Sequence, residues 1–344
     1  MRLSGKLRGL VTLSGALMAV VAATQPAAAL LIVPTFTSAI TTDPNAASIE
    51  SAIDSAIGTI DSLYANAGTV NLVFTAGAGS FLAESETADY NYSYGTYTGL
   101  LAGVSAAEPT NAVLATAIAN LASGNEPGPG GSVTVTTADA QVVLGSAVSG
   151  CFAATGAFVA ACGQTYDGVV TLNTSLSLND TTTAKPGEYS TIGSMEHEIN
   201  EILGGGGQGS ALNGIPCGGS KTAYPDVGVL DLYRYSSPGV PSFSSCNGTS
   251  AYLSVDGGIT SIVAFNGDPD GDLGDFAPNG YVQSADASLG IVPSYTTDTP
   301  EFAMMESIGY NGFTAVPEGS SLALLGSGLA GMLALRRRGG RKIQ

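Results

Sequence analysis

The sequence predicts an α+β domain with a twisted sheet over an active-site helix and a loop-rich C-terminal half. Three observations predict it. Stretches of helical and strand-like apolar periodicity alternate over the first two thirds of the exported chain. A single amphipathic segment, Ser194 to Gly204, carries the only histidine in 344 residues. After Gly204–Gly207, Gly, Pro, Asn and Asp dominate, and long regular elements stop.

Taken in order, Asp43-Pro44 reads as an N-cap followed by proline at the first helical position. Ile49, Ile53, Ile57, Ile60 and Leu63 then mark the buried face of a long helix. Val70 to Thr75 (VNLVFT) reads as a strand. Ala88 to Thr98 holds Tyr90, Tyr92, Tyr94 and Tyr97 among polar residues and suggests an exposed strand or hairpin. Pro109 to Ala122 predicts a second helix, followed by the loop 125–131. Val133 to Thr137 and Val169 to Leu176 predict strands, with a short helix over Thr137 to Leu144. Thr297-Asp298-Thr299-Pro300-Glu301 caps a last helix holding Met304-Met305, which we expect to pack in the core.

His197-Glu198-Ile199-Asn200-Glu201 is the zincin helix signature HExxH with Glu201 in place of the second histidine. Positions i and i+4 share a helix face, so His197 and Glu201 can converge on one cation. Glu198 stands beside them as a general base. Ile192, Met195, Ile199, Ile202 and Leu203 give the same helix an apolar face. Helix, strand, helix, strand, strand, active helix is also the order expected of a zincin-type domain. A catalytic zinc usually takes three protein ligands. In the longer metzincin pattern the third lies just beyond a glycine. Gly204 matches that glycine, but the ligand position is Gly207, which has no side chain. The third ligand is therefore sought among downstream acids, with Asp231 expected and Asp226 as substitute. Arg234 and Tyr235 follow as candidates for holding a substrate carbonyl, against a structural salt bridge for the arginine.

A second cation signal is Asn266, Asp268, Asp270 and Asp272, with Gly271 sixth in the run. These alternate oxygens resemble the front half of a Ca²⁺ loop, although the twelfth position is Ala277 rather than glutamate.

The two ends read as sorting signals. Arg2, Lys6 and Arg8, the apolar run that follows and Ala27-Ala28-Ala29 make residues 1–29 a secretory signal peptide. At 316–344, Val316-Pro317-Glu318-Gly319 precedes an uncharged stretch, Ser320 to Leu335, and then Arg336-Arg337-Arg338. The stretch sits at the lower limit for a transmembrane segment, and the basic cluster fits a cytoplasmic stop. This tail resembles the PEP-CTERM sorting signal, with Gly319 where that motif has its second proline. The resemblance implies processing by an exosortase in a Gram-negative bacterium that makes extracellular polysaccharide. It implies location in the cell envelope or outside the cell, with an extracellular polysaccharide matrix as a candidate partner.

Residues 30–315 hold only Lys185, Lys221 and Arg234 as basic residues, and the whole chain carries net charge −17. Such a surface excludes nucleic acid and anionic membrane as partners and favours cations. Four exported cysteines allow three disulfide pairings. Cys151–Cys162 and Cys217–Cys246 are favoured because each closes a short Gly/Ser-rich loop.

The helix motif and Asp231-Leu232-Tyr233-Arg234-Tyr235-Ser236-Ser237-Pro238-Gly239 together resemble a family of secreted bacterial metalloproteases. Its members carry HEIxE(I/V)(L/M)G and DL(F/Y)RYSxPG, and many end in PEP-CTERM tails. The likeness extends to Asp167–Asn173, to Tyr252–Gly258 and to Gly309-Tyr310-Asn311, spanning roughly residues 65–313. The resemblance implies a zincin-like fold, Zn²⁺ at His197 and Glu201, Glu198 as general base, and a protein or peptide substrate. The rival expectation is a catalytically silent zincin-like matrix or adhesion protein with structural cations. A polysaccharide hydrolase ranks last, because the chain has no tryptophan for stacking on sugar rings.

Overall fold

The computed structural model describes residues 30–121, 126–127, 131–215, 217 and 226–313. The expected signal peptide and sorting tail lie outside the described residues. Among the described residues no helix is long and apolar enough to cross a membrane.

The architecture is α+β. The main sheet runs β1 (Leu30–Phe36), β2 (Gly68–Gly77), β6 (Gly168–Asn173) and β3 (Ala83–Thr87) in spatial order. The first three are parallel and β3 is antiparallel. A parallel pair needs a crossover. Between β1 and β2 it is made by α1 (Ser38–Thr41) and α2 (Ala46–Leu63). β3 does not pair with the strand that precedes it. It stands one place off, and β6 fills the gap much later in the chain, leaving β3 on the sheet edge.

The expected helix face is realised, with Ile49, Ile53, Ile57, Ile60 and Leu63 all buried. The helix begins two residues later than Asp43-Pro44 predicted. Asp43 instead accepts the Asn45 N–H at 2.7 Å, forming a turn that leads into α2.

The tyrosine-rich stretch departs from expectation. Only Asp89–Ser93 is a strand (β4), pairing with β5 (Ser132–Thr136). Ser93 then caps α3 (Tyr94–Ala107), its hydroxyl accepting the Thr96 N–H at 3.2 Å. The cap redirects Tyr97 into the core while Tyr90 and Tyr92 stay on the strand. α4 (Ala112–Asn120) is capped in the same way by Asn111. α5 (Thr137–Leu144) follows β5 directly and ends at Gly145, in the left-handed region.

Two short strands, β7 (Leu178–Asn179) and β8 (Tyr189–Ser190), lead into α6 (Thr191–Ile202), the helix of the motif. Ile192, Met195, Ile199, Ile202 and Leu203 are buried, as the periodicity predicts. They pack α6 into the cluster that also contains the α2 stripe and the apolar side chains of β2 and β6. Beyond it, β9 (Asp226–Gly228) joins β5. β10 (Arg234–Ser237), β11 (Val240–Pro241), β12 (Tyr252–Leu253) and β13 (Val263–Ala264) form a small antiparallel sheet among loops. The last helix, α7 (Pro300–Ser307), starts at the proline and buries Met304 and Met305.

Both expected disulfides form, Cys151–Cys162 and Cys217–Cys246, with sequence separations of 11 and 29. The loop-entropy relation assigns them about 3 and about 4 kcal/mol. Replacing each pair by serine should therefore destabilise the protein in that order, with Cys217/Cys246 the more costly. Urea denaturation of the two double variants measures the difference.

Candidate metal centre

The centre begins with the start of α6. Ser190 accepts the Gly193 N–H at 3.0 Å, fixing the first turn. Two turns later, His197 and Glu201 project from the same face, His197 Nε2 lying 3.6 Å from Glu201 Oε1. His197 Nδ1 is 2.9 Å from the Val282 carbonyl. A carbonyl only accepts, so Nδ1 carries the proton and Nε2 faces the carboxylates.

Asp275 comes from a distant loop and places Oδ2 3.5 Å from His197 Nε2. His197, Glu201 and Asp275 each offer a ligand atom, and these atoms all lie within 4.8 Å of one another. Two ligands about 2.05 Å from one ion at the tetrahedral angle stand about 3.4 Å apart, close to the separations of His197 from Glu201 and from Asp275. The outer bonds are also in place. Glu201 Oε2 accepts from Ser85 Oγ of β3 at 2.7 Å, and Oε1 from the Gly207 N–H at 2.9 Å. Asp275 Oδ1 accepts from Gln283 Nε2 at 3.0 Å.

The glycine run after α6 has a steric reason. A Cβ on Gly207 would lie 2.6 Å from both Glu201 Oε1 and Asp272 Cγ. One on Gly206, itself at φ +47°, would lie 2.8 Å from Asp275 Oδ1. The backbone must touch the carboxylates, and only glycine permits that.

The electrostatics are those of a site short of positive charge. Burial works to lower the His197 pKa, but Asp275 and Glu201 outweigh it and hold the imidazole well above its usual range. Burial and then the Glu201 charge push Glu198 well above the carboxylate range. Burial opposes ionisation of Glu201, yet the hydrogen bond and charge of His197 keep it below its ordinary value. Asp275 is raised, because burial exceeds the pull of His197. Asp272, at the mouth, is raised to about 6 by burial and by Glu201 and Asp275. A divalent cation would supply the missing charge, so the residues present fit one.

These groups open into a cleft of about 690 Å³ lined by His197, Glu198, Glu201, Asp275 and the segment Gly79–Ser85. Glu198 is thus placed against both the ligand cluster and the opening.

The other expected site residues lie elsewhere. Asp231 is not the third ligand. Its carboxylate accepts from Ser210 Oγ at 2.7 Å and from the N–H groups of Ala211 and Gly228 at 2.9 and 2.7 Å, bracing a turn. Asp226 accepts from Ser132 on the neighbouring strand. Arg234 is 1% exposed and is no substrate ligand. It donates to the carbonyls of Leu273 and Asn266, lies over the Phe265 ring at 4.8 Å and feels the charge of Asp231. Tyr235 is buried in β10, paired with Tyr252, and does not line the cleft. The candidate calcium loop closes on itself. Asn266 Nδ2 donates to the carbonyls of Asp268 and Asp272, both at 3.1 Å, and its Oδ1 accepts the Asp268 N–H. Asp268, Asp270 and Asp272 do not gather into a ligand set; among the described residues, His197, Glu201 and Asp275 are the one such group. The loop's contribution is instead its last residue, Asp275. Its one sequence signal was the Asp-rich run that ends on it.

No known protein family, curated protein or solved structure matches this chain.

Two outcomes follow from this geometry. Gly207→Ala should weaken zinc binding at least tenfold, read by chelator competition, because the new methyl displaces the Glu201 carboxylate. The metal-free protein should lose thermal stability as pH rises from about 5 to about 8. Glu196 is raised to about 8, and Asp61, Asp89 and Asp167 to about 6, in each case chiefly by burial. A carboxyl with a raised pKa holds its proton more tightly folded than unfolded, so its contribution is lost as pH climbs through the folded value. The raised His197 acts in the same direction. A melting series across that range is the check.

Proposed function

We propose that this protein is an exported, zinc-dependent peptidase of zincin-like design, with His197, Glu201 and Asp275 as metal ligands and Glu198 as general base. One observation carries the reading: an imidazole and two carboxylates converge at ligand spacing, with a third buried carboxyl, Glu198, beside them in an open cleft. The fold supports it. Three parallel strands end in an antiparallel edge strand that borders the cleft, and α6 packs behind them. An edge strand offers backbone donors and acceptors to an extended chain, which suits a peptide substrate.

A zinc ion bound here supplies Lewis acidity and acidifies water. Val282 orients His197 through Nδ1, and Ser85 and Gly207 hold Glu201. Gln283 fixes Asp275. The Glu198 carboxylate takes a proton from the attacking water and returns it to the departing amine nitrogen. The two disulfides suit an oxidising compartment, in line with export by the signal peptide and retention or exosortase processing at the envelope through the tail.

The donor set favours one rival. Two carboxylates around one imidazole put more negative charge on the ion than two histidines would. That weakens it as a Lewis acid and shifts preference toward harder cations. The rival is a silent matrix or adhesion protein built on the same fold.

Metal analysis of the purified chain should give one zinc per molecule, with His197→Ala and Asp275→Ala each abolishing it. Glu198→Gln should keep the zinc and lower cleavage of a casein-type substrate by about 10²- to 10⁴-fold. Bound metal without cleavage by the wild type selects the silent scaffold.

A further inference from the structure

The cleft has two chemically different ends along α6. At the first turn, a Cβ on Gly193 would lie 2.5 Å from Pro293, so the loop after Leu289 packs against that end. Leu176 and Ile291 border the cleft with 37% and 44% of their surface exposed, beside Phe81 and Pro293. Apolar side chains left open in a concave site mark a surface that a ligand covers.

The Glu201 end is acidic. Asp272 abuts Gly207, and Glu84 adjoins Ser85, whose hydroxyl binds Glu201. Asp286 extends the charge along the wall that follows Val282. Among the described residues neither Lys nor Arg lines the cleft. Of the basic residues described, Lys185 pairs with Glu188 at 3.7 Å and Arg234 is buried in its own contacts. The carboxylates of the cleft therefore keep their field for whatever enters. From Gly193 to Glu201 the helix spans about 12 Å, the length of about four extended residues. His197 and Glu198 lie within that span.

We propose that the cleft selects extended peptide segments with a basic side chain on one side of the cleaved bond and an apolar one on the other, and rejects acidic segments. This deepens the peptidase reading and rests on it. The apolar residue seats against Leu176, Ile291 and Pro293. The basic one faces Glu84 and Asp272, and the field of the whole domain draws such chains in.

Binding separates this inference from turnover. The zinc-loaded Glu198→Gln chain is titrated with three short fluorescent peptides, carrying Lys with Leu, Glu with Leu, and Lys with Ser. The Lys/Leu peptide should bind at least tenfold tighter than Glu/Leu at low ionic strength, and the gap should close in about 0.5 M salt. Glu84→Gln with Asp286→Asn, both at exposed positions, should narrow the gap by about fivefold without changing the melting temperature. Leu176→Ser should weaken Lys/Leu and leave Lys/Ser unchanged. Equal binding of Lys/Leu and Glu/Leu, or a gap indifferent to salt and to the double variant, overturns the proposal. Cleavage by the wild type with no such preference sinks this inference alone. Selective binding by a chain that cleaves nothing sinks the peptidase reading and leaves the recognition in place.

Discussion

A single imidazole facing two buried carboxylates is the constraint that the rest of the site answers. Two ionised carboxylates about 4 Å apart repel by about 4 kcal/mol at the effective dielectric of a protein. His197 alone cannot offset Glu201, Asp275 and Glu198 together. The metal-free protein distributes the strain by protonation: the imidazole holds its proton, Glu201 stays ionised, and Glu198 and Asp275 are pushed toward neutrality. The short hydrogen bonds from Ser85, Gly207 and Gln283 reduce the cost of burying the charge that remains. Glycine at 207 then becomes intelligible as the residue that lets its N–H come so close to Glu201, and glycine at 206 as the one that leaves room for Gln283 and Asp275.

The motif at 231–237 serves this centre from a distance. Asp231 gathers Ser210, Ala211 and Gly228, which fixes the segment just after the glycine run. Arg234 reaches across to Asn266 and Leu273, which fixes the loop that delivers Asp275. One short stretch of chain thus braces both walls of the acidic end of the cleft. Truncating Arg234 would leave two buried carbonyls without donors and Asp231 without its nearest positive charge, which makes it a positioning residue rather than a substrate ligand.

What the sequence reveals follows the range of each interaction. The α2 and α6 stripes, β2, α5 and both disulfides depend on neighbours a few residues away or on a short closed loop, and they are legible. β3 is not, because AESET has no apolar alternation. It is an edge strand whose Glu84 and Glu86 are exposed, so its charges hide the one buried position, Ser85. The helix α3 is hidden behind tyrosines that suggest a strand until Ser93 is recognised as a cap. Asp275 is the most instructive case. Its partners are His197 and Gln283, and its selection over Asp231 is decided by loop packing: Gly274 lies so close to the Gly206 carbonyl that a Cβ would fall 2.0 Å from it. Proximity in sequence to the motif favoured Asp231, since it says nothing about which loop folds back beside His197 and Glu201.

Under the hydrolase reading, Glu201 at the place of the second histidine also ties the base to the ion. Glu198 can accept a proton only when ionised, and in the metal-free centre both burial and the charge of Glu201 resist that. Adding a positive charge beside Glu201 removes the second of these and opposes the first. Under the hydrolase reading, the residue that weakens the Lewis acid thus keeps the general base neutral until the centre is filled. Asp275 works in the same sense, since it also raises Glu198 while it holds His197 charged. A histidine at 201 would relieve Glu198 of one negative neighbour and loosen the link between the base and the ligand set, while burial and Asp275 would still oppose its ionisation. Under that reading the carboxylate-rich centre exchanges intrinsic Lewis acidity for a base whose ionisation the loaded site favours, and both consequences come from one side chain on the face of α6.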